Sequence, residues 1–139
     1  MGYRSEVAVV IAFKDEAQRD TFLALQLAKK DDDINEALKE VKKLETNKLF
    51  YYASDVKWYE SYDFVKAVTN LYLEAVELYG NDGAGYRFTR IGEEVEDIEI
   101  SEDGDYDDLW DYTSINRSID VDVDESKLTA VINEEGVLA

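Results

Sequence analysis

The sequence contains no cysteine, no histidine and no proline among its 139 residues. Without cysteine there is no disulfide, no thiolate zinc site and no thiol nucleophile. Without histidine, every catalytic arrangement that relies on an imidazole base is excluded, the serine triads included. The absence of proline, with no internal repeat and no linker, argues against a flexible multidomain chain. Long hydrophobic runs are also missing. The longest, VAVVIAF at residues 7–13, is far too short to cross a bilayer. Arg4 and Glu6 precede a run too short for a signal-peptide core, so a cytoplasmic protein without membrane contact is expected. Positive charge is scarce as well: 15 lysines and arginines face 33 acids, a formal net charge of −18.

That imbalance is local. Residues 1–90 carry 16 acids and 13 bases, whereas residues 91–125 carry 15 acids and a single base, Arg117. The stretch EEVEDIEISEDGDYDDLWD, residues 93–111, holds eleven acids and no base. A surface this negative repels DNA, RNA and anionic lipid, so direct nucleic-acid binding is not expected and a basic partner is. An apolar content of 45% is nevertheless enough for a core, which separates the chain from disordered acidic tails.

The hydrophobic pattern supplies the elements. Residues 7–13 read as a central strand buried on both faces. Asp15 with Gln18 forms a capping box, so a helix is expected over 16–28, with Phe22, Leu25, Leu27 and Ala28 toward the core. Asp33, with Glu36 in the box position, is expected to cap a second helix. Its stripe of Ile34, Ala37, Leu38, Val41 and Leu44 carries Lys39, Lys42 and Lys43 toward a solvated C-terminal end. Residues 49–60 read as an aromatic strand bent near Ser54 and Asp55. A third helix follows, capped by Ser61 or Asp63 and stopped by the glycine loop at 80–83. From Gly85 the period becomes two. Tyr86 and Phe88 alternate with Arg87 and Thr89, Gly92 marks a turn, and residues 95–100 pair back. Ile115, Ile119, Val121 and Val123 alternate with Asp120, Asp122 and Asp124 on a half-buried strand. Residues 128–132 form the last strand, after a turn at Glu125 and Ser126. Helices early and strands late predict one α+β domain over 1–139. Its sheet is antiparallel or mixed, with about three helices on one face and an acidic strand-and-loop region at 91–125.

Three chemistries compete for that acidic region. A calcium loop is suggested by Asp103, Asp105, Asp107 and Asp108 around Gly104. The EF-hand template fails, because glycine must follow the third ligand and a tryptophan stands at 110. Carboxylate-based catalysis has candidate pairs everywhere in so acidic a chain, and nothing marks two of them. There is no P-loop and no dinucleotide fingerprint; GNDGAG at 80–85 follows a helix and lacks the Lys-Ser/Thr pair, so it reads as a plain loop. No catalytic residue, metal ligand or cofactor is therefore assigned. Imitation of nucleic acid needs carboxylates at regular spacing on a rigid scaffold. Alternate strand residues lie about 6.5–7 Å apart on one face, so Asp120, Asp122 and Asp124 form such a row. Glu94 with Glu96, and Asp97 with Glu99, form others. Tyr106, Trp110 and Tyr112 either add contacts at an interface or pack the loop onto the sheet.

The opening MGYRSEV, the middle KWYESYDFVKAV and the later YRFTRIGEEVEDIE resemble small acidic proteins of tailed bacteriophages and prophages that begin MGYRS, an acid and a valine. The resemblance brings no catalytic residues. It implies a phage product acting inside an infected bacterium, where small acidic proteins often inhibit nucleic-acid enzymes or defence systems by imitating DNA. On the residues alone, Tyr3 and Arg4 are expected to pin the start of the central strand, with Arg4 paired to a carboxylate near Glu6.

The expectation is a non-enzymatic protein that binds a basic host protein, one that handles nucleic acid or serves defence. It does so through Glu93, Glu94, Glu96, Asp97, Glu99, Asp103, Asp105, Asp107, Asp108, Asp120, Asp122 and Asp124. The alternatives are a carboxylate-held divalent metal, as a binding site or a metal-dependent enzyme, and a merely acidic structural domain. Self-association is left open.

Overall fold

A computed structural model describes residues 2–94, 96–104, 109, 112–116, 118–133 and 136–138, with the backbone alone for 114–116, 118 and 120. The elements are β1 (Ser5–Ala12), α1 (Glu16–Ala28), α2 (Asp32–Glu40), β2 (Lys42–Leu44), β3 (Lys48–Val56), α3 (Asp63–Tyr79), β4 (Gly85–Gly92), β5 (Ile98–Gly104), β6 (Thr113–Asn116), β7 (Ser118–Val121) and β8 (Thr129–Ala130). The architecture is the α+β arrangement that the pattern predicts. Six antiparallel strands lie in the order β5-β4-β1-β3-β2-β8, and β6 and β7 form a separate hairpin. Among the described residues no helix is long and apolar enough to cross a membrane.

β1 is apolar on both faces because both faces are covered. Val7, Val9 and Ile11 join the larger core with Phe22, Leu23, Leu38 and Leu71 from the three helices. Val10 and Ala12 point the other way, into a smaller core with Leu44, Phe50 and Leu109, against which Tyr112, Val121 and Val123 pack. Helices therefore cover one side of the sheet, and the C-terminal acidic region covers the other.

α1 begins where the capping box places it. Asp15 accepts from the Gln18 backbone N–H, and the Gln18 amide in turn accepts from Lys14 N at 2.9 Å. Its buried face differs from expectation. Leu25 is 44% exposed, while Arg19 and Gln26 are buried beside Phe22 and Leu23. Each buried polar group has a partner: Arg19 donates to Glu45 O at 3.1 Å and Gln26 to Glu74 at 3.0 Å, which removes the usual penalty.

Two other caps depart from the pattern. Asp31, not Asp33, caps α2 by accepting from Asp33 N and Ile34 N. Neither Ser61 nor Asp63 caps α3. Its N-cap is Tyr62, with no side-chain bond, and the entry is held by a backbone bond from Tyr62 N to Tyr59 O and by the Tyr59–Tyr62 ring contact. The α2 stripe also does not continue to Leu44. Val41 is already extended (φ −80°, ψ 142°), and Lys42, Lys43 and Leu44 form β2. Leu44 is buried, but in the core on the opposite side of the sheet from α2. Lys42 and Lys43 thus belong to a strand near one edge of the sheet, while Lys39 lies in the last turn of α2 as expected.

The expected bend in β3 is a bulge. Val56 faces Ser5 and Ala53 faces Val7, so Ser54 and Asp55 stand opposite Glu6 alone, with Asp55 at φ 55°. The late alternation is not one strand but the β6–β7 hairpin, whose register sets Ile115 opposite Ile119. The final strand shortens to Thr129–Ala130.

Candidate functional site

β5 is an edge strand, and its acids are organised by β4. The register sets Arg90 opposite Glu99 and Arg87 opposite Glu102. Directly opposed residues share a face, so the two arginines, three positions apart, neutralise opposite sides of the hairpin. On the helix side, Arg90 Nε donates to Glu99 at 3.0 Å, Nη2 to Asp97 at 2.7 Å, and Nη1 to Asp97 at 3.1 Å and Ser5 Oγ at 3.2 Å. Tyr3 completes the group, its hydroxyl donating to Asp97 at 2.6 Å and accepting from Glu94 N at 3.1 Å. On the other side, the buried Arg87 pairs with Glu102 at 3.1 Å and reaches the Thr113 carbonyl at 3.4 Å.

The Arg90 guanidinium, and then the Tyr3 hydroxyl, hold the Asp97 carboxyl below the ordinary aspartate range. The same contact with Asp97 raises Arg90 and Tyr3. A depressed acid contributes its stabilisation above the unfolded pKa of about 3.9 and loses it as pH falls through the lower folded value. Carboxyl-carbon NMR is expected to give an Asp97 midpoint below 3.9 by that standard. Tyr3→Phe should move it up, and Arg90→Gln should move it up further. A midpoint at the ordinary value in the wild type would contradict the network.

The sequence-predicted acids divide into groups. Glu93, Glu94 and Glu96 lie in the β4–β5 turn, not on a strand as the row Glu94–Glu96 required, because pairing resumes only at Ile98. Asp97 and Glu99 do share a side, but both are engaged by Arg90. Asp103 lies on the same side of β5 at its far end, and its carboxylate accepts from Gly104 N. The strand thus runs on to Gly104, past the 95–100 expected to pair back. Asp122 and Asp124 are exposed while Val121 and Val123 pack on the small core and Ile119 is buried, as the alternation requires. Regular strand ends at Val121, however, and Asp124 turns its carboxylate onto Ser126. Asp120 belongs to β7 by its backbone. Asp105, Asp107 and Asp108, with Tyr106 and Trp110, lie outside the described residues. Tyr112 packs on the small core, donates to Glu45 and lies under Lys48, whose Nζ is 5.8 Å from the ring centre. Among the described residues, no group of three or more carboxylates could hold a metal ion.

A latch in β1 ties the hairpin to the sheet. Glu6 accepts from Ile119 N at 2.7 Å and from the Tyr52 hydroxyl. Burial, and then this bond, pushes the Tyr52 phenol up to about 12. Among the described residues, the Arg4 guanidinium meets no carboxylate, contrary to expectation. Its guanidinium donates to Asp55 O in the bulge at 3.2 Å, and its backbone N–H donates to Glu93 at 2.8 Å.

Beside the acidic edge, on the helix side, lies a cleft of about 610 Å³. Trp58, Tyr72 and Phe88 supply aromatic surface, with Tyr72 stacked on Phe88 at 5.5 Å and Trp58 6.3 Å from Phe88. Glu60, Lys66, Arg90, Asp97 and Glu99 supply charge. The sequence reading missed this feature. Three segments far apart along the chain, residues 1–7, 57–68 and 86–99, supply nine of the twelve described lining residues. Spacing within any one of them could not reveal the cleft; the signal was the aromatic residues at 58, 72 and 88, which read simply as core. Comparisons with protein-family models, with curated proteins and with solved structures find no match to this chain.

Proposed function

We propose that this chain is a non-enzymatic binding protein that engages a basic, nucleic-acid-handling or defence protein in a phage-infected bacterium, using the β4–β5 edge and the adjoining hairpin as an acidic, DNA-like surface. The observation that carries the reading is the attachment of the carboxylates. Glu99 and Asp103 stand on one side of a strand hydrogen-bonded along its length. Asp122 and Asp124 alternate with side chains packed in a core. Charges held this way keep their separations: Glu99 and Asp103, four residues apart on one extended strand, stand about 13 Å apart, of the order of every second phosphate along one nucleic-acid strand. A partner evolved to meet such phosphates with lysine and arginine finds comparable spacing without a flexible chain to order.

The test is affinity capture from bacterial lysate at low salt, with the retained proteins identified and then challenged with duplex DNA. A DNA- or RNA-binding protein is expected, and the duplex should displace it. Salt should weaken the complex steeply. Failure to retain any nucleic-acid-binding protein at low salt sinks the mimicry reading.

A further inference from the structure

The cleft beside the acidic edge brings aromatic surface and carboxylates together. Its aromatic wall is the half-buried Trp58, backed by the buried Phe88 and Tyr72, and an indole attracts guanidinium and ammonium groups over its face. Its carboxylates come from both sides: Glu60 from the loop before α3, and Asp97 and Glu99 from the β5 side. Burial pushes the Tyr72 phenol up to about 12. The cleft also carries two cations: Arg90, whose guanidinium is directed at Asp97, Glu99 and Ser5, and Lys66, an exposed side chain on α3. The turn acids Glu93, Glu94 and Glu96 add negative charge at the end nearest Tyr3.

We propose that this cleft receives an arginine side chain presented by the protein partner. The guanidinium stacks against Trp58 and ion-pairs with Glu60 and with Glu99, whose side chain is 51% exposed although it also meets Arg90. Arginine is preferred to lysine because a planar guanidinium can stack and meet a carboxylate edge-on at once. The volume suits a long side chain, within the roughly 300–1,000 Å³ range of small-ligand sites. The inference rests on the proposed function for the source of the arginine. It adds a defined pocket to what is otherwise a diffuse charged surface.

The pocket is tested first without any partner. The full chain is titrated at low salt with N-acetyl-arginine amide, and with the neutral citrulline analogue, while the Trp58 indole N–H is followed by NMR. That resonance is assigned by its loss in Trp58→Phe. Saturable shifts are expected with the arginine compound. Binding should be about tenfold weaker for citrulline, and about tenfold weaker again for arginine on a Glu60→Gln, Glu99→Gln variant that keeps the wild-type fold by its spectrum. Equal binding of the two compounds, or no shift with either, overturns the pocket whatever the lysate yields. The second arm concerns the source. N-acetyl-arginine amide should compete with the captured partner, and Glu60→Gln should weaken that capture. A partner captured but indifferent to both overturns the arginine contact while leaving the acidic interface standing. Arginine binding with no protein partner overturns the partner as source and, with it, the proposed function.

Discussion

Arg87→Ala is expected to lower the unfolding free energy by about 2–4 kcal/mol, measured by denaturant titration. Arg87 is 7% exposed and sits on the hairpin side of the sheet, where it pairs with Glu102 and reaches the Thr113 carbonyl. Removing it leaves a carboxylate whose side chain is only 26% exposed without its counter-ion. The cost falls below that of breaking a fully buried pair because Glu102 still reaches solvent. A second substitution separates charge from packing. In Arg87→Met, Glu102→Leu both charges are gone and apolar surface fills the space, so most of the stability should return. If the double variant is as unstable as Arg87→Ala, the loss is one of shape or of the bond to β6, not of an orphaned charge. The consequence reaches the proposed surface, because Arg87 and Glu6 both tie the sheet to the hairpin that leads into Asp122 and Asp124.

Neutralising three acids of the edge region, Glu96→Gln, Asp103→Asn and Asp122→Asn, is expected to weaken binding of the captured basic partner by about 30- to 100-fold at low salt, chiefly through a slower association rate. The matched control neutralises Asp32, Glu40 and Glu77, which are exposed on the helices. It removes the same charge from the other part of the molecule and should change affinity by less than about threefold. All six are surface positions, so each substitution should alter stability by no more than about 0.5 kcal/mol. The edge variant should also show a shallower dependence of affinity on salt, since fewer charge contacts form. Surface plasmon resonance over a salt series measures both quantities. If the two triple variants weaken binding equally, attraction is to net charge alone and the DNA-like edge is not an interface.

The elements most legible in the sequence were those set by near-neighbour chemistry. The bounds of α1 follow from Asp15 and Gln18, which bond each other's neighbourhood within one turn. The central place of β1 follows from seven consecutive apolar residues, which can be buried only if both faces are covered. Periodicity misled where it crossed an element boundary. Leu44 fits the α2 stripe by spacing yet lies on β2, in the other core, because both a helix face and a strand can bury an apolar residue at that interval. Leu25 fits an apolar face, but satisfied polar groups at Arg19 and Gln26 took the buried positions.

The acidic region shows the same division more sharply. Composition alone determined that the chain is strongly acidic, that the charge falls in residues 91–125, and that thiol and imidazole chemistry are absent. Local alternation determined that Asp122 and Asp124 face away from Val121 and Val123. Tertiary structure decided which acids meet a counter-charge. Arg87 and Arg90 precede the acidic segment and look like part of the balanced first portion, yet register sets them against Glu102 and Glu99. It also decided that Tyr3, Trp58, Phe88 and Glu99 share one cleft. The physical reason is that charge and hydropathy are properties of each residue and survive in a one-dimensional list. Pairing and enclosure depend on strand register and on which side of the sheet a side chain stands, and these are settled only when distant segments pack.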